Sequence, residues 1–229
     1  MFIFFKIIKT EVKNINDIRA DFPLLGTKVY GKPLIYFDNG ATTQKPQCVI
    51  DTVNEVFTSY NANIHRGVHA ISDKASEEYE KARDKVRSFI NAGKREEIIF
   101  TSGTTGSINA IAFSFGERFI KKDDEIIISN LEHHANIVPW QMMCDRKGAK
   151  LKVIPVNDNG EIILGDYYKI LSGKTRLVAV TQVSNALGTI VPVREIIEAA
   201  HSMNIPVLID GAQGIQHGLT DVTLLDCDF

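Results

Sequence analysis

Cysteine is scarce in this chain: Cys48, Cys144 and Cys227 are the only three in 229 residues, with no CxxC spacing. An odd, scattered set excludes a disulfide scaffold and a standard zinc site, and it fits reduced thiols in the cytosol. Each is expected to be a buried structural cysteine, the commonest role of a free thiol. No apolar run is long enough to span a bilayer. An excess of one charge is missing as well, since the net charge is only −2 and invites neither nucleic acid nor an acidic membrane. No internal repeat or low-complexity linker interrupts the chain. The last lack is local: no lysine follows Lys174.

What remains is an ordinary globular composition, 44% hydrophobic and 24% charged, enough for one large α/β domain. The opening "MFIFFKIIKTEVK" has an apolar stretch broken by Lys6 and no cleavage site after it. It reads as a short docking arm or a misassigned start rather than a signal peptide. From residue 98 onward short apolar runs alternate with amphipathic segments. Strands are expected at 98–100, 125–129, 151–156, 176–183 and 206–210. Between them Ile108, Ile111, Ala112, Phe115 and Phe119 share one helical face, and Val193, Ile196, Ile197 and Ala200 share another after Pro192. Two earlier helices carry Val49, Val53, Val56, Phe57 and Tyr60, and Ala75, Tyr79, Ala82, Val86 and Phe89. Repeated β-α units predict a three-layer α/β/α fold with a mainly parallel sheet.

Such sheets bind ligands at the carboxyl ends of their strands, so the polar residues there matter most. After 98–100 comes "TSGTTGSIN", in which Gly103, Thr104 and Thr105 offer N–H groups, hydroxyls and a positive helix end. That is a phosphate cup by its physics, and equally an N-cap and tight turn. The same letters resemble the phosphate loop of adenylate-forming enzymes, but no lysine follows until Lys121, and a Walker A reading fails likewise. After 125–129 come His133 and His134, whose adjacency points them apart and argues against one shared metal. One of them can lie flat against an aromatic cofactor while the other caps the next helix. "SNALGT" offers the amide of Asn185, or simply a turn. Asp210 ends the apolar run "VLID", where a carboxylate is costly without a positive partner. A salt bridge or a cap would serve. So would the protonated pyridine nitrogen of pyridoxal phosphate, with Gln213 reaching the ring's phenolic oxygen.

At this point the stretches "IRADFPLL", "YFDNGATTQKP", "NIHRGVH", "EHHANIVPWQ", "TQVSNALGT", "VLIDGAQ" and "LDCDF" come together. In this order they resemble the cysteine desulfurase and selenocysteine lyase group of class V aminotransferase-like enzymes, of the type that serves SUF iron–sulfur assembly. The resemblance implies a fold-type I transferase, a cytoplasmic homodimer using pyridoxal 5'-phosphate. It would take sulfur from L-cysteine (or selenium from L-selenocysteine), leave L-alanine, and pass the sulfur as a persulfide to an acceptor protein. It implies that Thr104 and Thr105 meet the phosphate, that His133 stacks on the ring, and that Asp210 pairs with the ring nitrogen. It further implies Gln213 at the phenolic oxygen, Asn185 beside cofactor and substrate, and His65 and Arg66 near the entrance, though His65 and His69 also suit packing. Residues 1–45 would be an arm belonging to a smaller domain and 46–229 the cofactor-binding large domain.

The sequence departs from the pattern at Gly40, where alanine is common, and at Gly106 and Ser107, where many members carry a glutamate and another residue. The family's Schiff-base lysine follows the stretch matching "LDCDF", and this chain holds no lysine there. Nor do its cysteines match the family's nucleophile by position. The expectation is a large domain truncated before that lysine and inactive alone. A non-catalytic half that holds the cofactor, another class V enzyme and, remotely, an adenylate-forming ligase are the alternatives.

Overall fold

The structure, a computed structural model, describes residues 14–39, 42–218 and 220–229. The opening segment 1–13 and Gly40 lie outside the described residues. The chain divides into two compact units, one reaching to Lys81 and one running Ala82–Phe229.

In the first unit Asn14 caps α1 (Ile15–Ala20) by accepting from Asn16 N at 3.0 Å. A two-stranded antiparallel hairpin follows, β1 (Lys28–Val29) and β2 (Lys32–Pro33), turning through Tyr30 and Gly31 at positive φ. Helix α2 (Gln47–Glu55) runs into a π-helical turn, Val56–Tyr60. Its apolar stripe forms as the periodicity predicts, but Val49, Val53 and Phe57 are exposed and only Tyr60 is buried. Spacing places residues on one face; it does not say what covers that face. Helix α3 (Ala70–Phe89) starts in this unit, burying Ser72 and Ala75, and continues into the second with Val86 and Phe89 exposed.

In the second unit the helices are α4 (Thr104–Ile111), α5 (Glu117–Phe119), α6 (Val138–Lys147), α7 (Leu164–Ile170), α8 (Val193–His201) and α9 (Val222–Leu225). A π-helical turn, Ala112–Gly116, joins α4 to α5. The strands are β3 (Glu125–Ser129), β4 (Lys150–Ile154), β5 (Thr175–Thr181) and β6 (Val207–Asp210). They form one parallel sheet in the order β4-β3-β5-β6. Both faces of β3, β5 and β6 are largely buried, as their apolar runs require, while β4 at the edge keeps Lys150 and Val153 exposed. Ile127, Val178, Val180 and Val207 face one way, against Tyr167 of α7 and Ile196, Ile197 and Ala200 of α8. Ile126, Ile128, Leu177, Ala179 and Leu208 face the other way, against Ile108 of α4 and Trp140 and Met143 of α6. The result is the expected three-layer α/β/α arrangement.

One expected strand does not form. Residues 98–100 are extended but join no ladder. Ile98 is buried, whereas Ile99 is 76% exposed. A strand exists only where a ladder forms with a neighbour, and among the described residues no ladder includes this segment. Beyond β6, Ile209 N donates to Phe229 O at 3.0 Å, so the residues after α9 lie alongside that strand.

Candidate functional site

From β3 the chain crosses to β4 on one side and then returns to β5 on the other, so the strand order reverses between β3 and β5. Loops diverge at such a point and leave a crevice at the carboxyl ends. A cavity of about 230 Å³ lies at this place, and all its lining residues belong to the second unit.

Ser102, Gly103, Thr104 and Thr105 form one wall. Gly103 sits at φ +103°, a backbone state that a side chain resists, and α4 starts immediately after it. The first N–H groups of a helix have no acceptor within it, so these donors face the cavity with the positive end of the dipole. Thr101 Oγ1 donates to Gly103 O at 3.0 Å and lies 2.8 Å from Ser107 Oγ, which ties the loop back on itself.

His133 forms the second wall. Its Nδ1 accepts from Ala135 N at 3.1 Å and caps the 3-10 turn His134–Asn136. In the neutral ring the proton then sits on Nε2. The expected division of labour between the two histidines is corrected here. His133 both lines the cavity and caps the turn, while His134 stands nearly perpendicular to it at 87°.

The remaining walls are Thr181, Val183 and Asn185 after β5, and Asp210, Ala212 and Gln213 after β6. Asp210 is only 5% exposed. Among the described residues its carboxylate takes one hydrogen bond, from Ala212 N at 3.0 Å, and no cation pairs with it. Gln213 Oε1 accepts from Gln216 Nε2 at 2.7 Å, which leaves the Gln213 amide hydrogens free for the cavity. Among the described residues, no lysine, arginine or cysteine lines the cavity. Lys174 lies just before β5, at the opposite end of the sheet.

The sequence reading therefore brings Thr104, Thr105, His133, Asn185, Asp210 and Gln213 into one cavity. His65 and Arg66 belong to the first unit. There His65, at φ +62°, places Nε2 3.2 Å from Glu80 Oε1 and meets Tyr79 edge-on, and His69 Nδ1 accepts from Ser72 N at 3.3 Å. The cysteine expectation holds for Cys144, buried in the core, where burial and then Asp145 push its thiol up to about 11. Burial also raises the half-buried Cys227. Cys48 is exposed, a correction that follows from the uncovered face of α2.

Glu132 escaped the sequence reading. It is 9% exposed and accepts from Ser129, Asn136 and the Thr181 backbone. Burial drives its carboxyl up to about 7, held back by those three donors and pushed further by Asp210. A signal for it did exist: a serine three residues before and an asparagine four after, spaced to meet a glutamate side chain.

Known proteins share this chain's features. The family model for the aminotransferase class-V family matches residues 35–229. A curated cysteine desulfurase from Synechococcus elongatus is 51% identical over 94% of this chain and 34% of its own length. One from Enterobacter is 48% identical over 94% of the chain and 53% of its own. Among solved structures, the apo cysteine desulfurase of Thermococcus onnurineus superposes with a TM-score of 0.85 at 39% identity, over 93% of this chain and 51% of that one. A cysteine desulfurase from Escherichia coli gives 0.84 at 35% identity, over 95% and 53%. The chain thus spans between about a third and about half the length of these relatives.

Proposed function

The chain belongs to the aminotransferase class-V family, and on that premise we propose that it supplies the pyridoxal-phosphate site of a cysteine desulfurase. The observation that carries the reading is Asp210: a buried carboxylate without a cation, opening into a cavity whose far wall is a helix N-terminus. A ligand with a cationic ring nitrogen at one end and a phosphate at the other satisfies both walls, and pyridoxal phosphate is such a ligand. Bound there, it supplies an electron sink conjugated to the α-carbon of an amino acid.

Asp210 holds the proton on the ring nitrogen and so keeps that sink open. The N–H groups and hydroxyls of Thr104 and Thr105 bind the phosphate. His133 presents its ring to the cofactor's face, the Gln213 amide donates to the phenolic oxygen, and Asn185 orients cofactor and substrate. By the same reading L-cysteine is the substrate and L-alanine the product, with L-selenocysteine the alternative substrate. The protein would work as a cytoplasmic homodimer passing persulfide sulfur to an acceptor for iron–sulfur assembly, with residues 1–45 as an arm and 46–229 as the cofactor-binding domain.

Since, among the described residues, neither lysine nor cysteine lines the cavity, a second reading has support: this chain holds the cofactor without a covalent bond and does not turn over cysteine by itself. Titration with pyridoxal phosphate followed by borohydride and dialysis tests both. Binding that Asp210→Asn weakens and that dialysis reverses after borohydride supports the site and the non-covalent reading. Alanine released from L-cysteine, with sulfide appearing when a thiol reductant is supplied, would reject the latter. No binding at all would reject the site.

A further inference from the structure

Behind the cavity wall a chain of buried donors converges on one carboxyl group. Trp140 Nε1 donates to Asn136 Oδ1 at 2.8 Å, and Asn136 Nδ2 donates to Glu132 Oε2 at 2.7 Å. Ser129 Oγ, which accepts from Leu131 N at 3.1 Å, gives its own hydrogen to Glu132 Oε1 at 2.5 Å. The backbone N–H of Thr181 reaches the same oxygen at 3.0 Å. Trp140 and Asn136 are fully buried, and Ser129 and Thr181 nearly so. Every hydrogen in the chain points toward Glu132, and the donors come from β3, the turn after it, α6 and β5.

The neighbours of this network are the groups assigned to the ligand. His133 is the next residue in sequence. Thr181 lines the cavity and pairs in register with Asp210 across β5 and β6, its hydroxyl 3.5 Å from Asp210 O. We infer that Glu132 is a positioning residue of the cofactor site, pinning the His133 turn to the end of β5 and so fixing the gap between His133 and Asp210. The inference rests on the pyridoxal-phosphate reading.

The ionised carboxylate accepts from all of these donors at once, which an amide cannot do. A glutamine would turn its NH₂ toward Asn136 Nδ2. If Asn136 flipped to answer, its own NH₂ would face Trp140 Nε1. One donor-to-donor contact persists wherever it is moved. An alanine would strand three donors at once.

The test is pyridoxal-phosphate titration of the chain, read by the absorbance of the bound ring and by emission of Trp140, the only tryptophan in the sequence. Glu132→Gln is made alone and together with Asp210→Asn. If Glu132 acts through the ligand-facing groups, the single change weakens binding about tenfold and shifts the bound-ring band, while in the Asp210→Asn background it costs less than about threefold. Equal losses in both backgrounds would mean a merely structural role and overturn the inference. So would wild-type affinity and an unshifted band in Glu132→Gln. Should that variant fail to fold, Ser129→Ala removes one donor and keeps the carboxyl. It is expected to weaken binding about threefold with the same dependence on Asp210, and an undiminished affinity would again overturn the inference. A wild-type chain that takes no pyridoxal phosphate removes the reading and the inference together. Binding that is sensitive to Asp210 but indifferent to Glu132 keeps the reading and rejects the inference.

Discussion

At the amino end of the sheet, Asp124 faces Arg176 at 3.1 Å, and Glu125 meets Lys152 at 2.8 Å and the Ser172 hydroxyl at 2.6 Å. At the carboxyl end, Glu132 and Asp210 are as well buried but have only neutral donors. The chemistry follows the partners. Burial pushes Glu125 up, yet Lys152 and Ser172 outweigh it and leave its carboxyl below the ordinary value. Burial pushes Glu132 up as well, and its neutral donors do not bring it back. One end of the sheet pairs its acids with cations, and among the described residues the other meets its acids with neutral donors alone. Acids with little solvent exposure thus differ between the two ends in what faces them.

Stability against pH gives the largest test of that contrast. Glu132 binds its proton more tightly in the folded chain than at the ordinary 4.5, so its contribution is full below pH 4.5 and lost as pH rises through about 7. Between those limits the wild type is expected to lose about 3 kcal/mol relative to Glu132→Gln in denaturant melts. Parallel curves would show that the carboxyl titrates alike in the folded and unfolded chain, and the contrast would break. Next comes Asp210→Asn, expected to weaken pyridoxal-phosphate binding about thirtyfold, or about 2 kcal/mol, with little change in melting.

At the other end Lys152→Met keeps the apolar stem and removes the charge, for an expected loss of about 1 kcal/mol, since Lys152 is partly exposed. Its pH dependence should run the opposite way. The Glu125 pairing is lost as pH falls below the ordinary carboxylate range, so the variant and the wild type should converge in acid. Smallest is Thr105→Val, expected to weaken binding of pyridoxal phosphate about fivefold, measured by the same titration.

Much of this was legible before any coordinates. The runs around 125–129, 151–156, 176–183 and 206–210 became β3 to β6 within two residues at each end, because strands buried on both faces carry an unbroken apolar signal. Strand ends then located His133, Asn185, Asp210 and Gln213, whereas Thr104 and Thr105 follow a segment that forms no strand. Residues 98–100 looked the same as those runs and failed, since apolar character does not supply a pairing partner. The π-helical turns at Val56–Tyr60 and Ala112–Gly116 break the 3.6-residue repeat and left no mark in the sequence. Glu132 stayed hidden for a different reason. An acid beside two histidines reads as a solvated loop until Thr181, distant in sequence, arrives with its N–H.

The strand order also governs how the domain comes together in time. Ile127 of β3 must find Lys152 on one side and Val178 on the other, and neither contact comes from a hairpin. Parallel pairing closes large loops before any ladder rewards them, which slows folding. On a ribosome adding roughly 5–20 residues per second, β4 would be available to β3 some seconds before β5. During that interval one edge of the strand that ends up buried at every position stands open to any other extended chain. Nascent protein should therefore be most vulnerable to misassociation, and most in need of a chaperone, before β5 emerges.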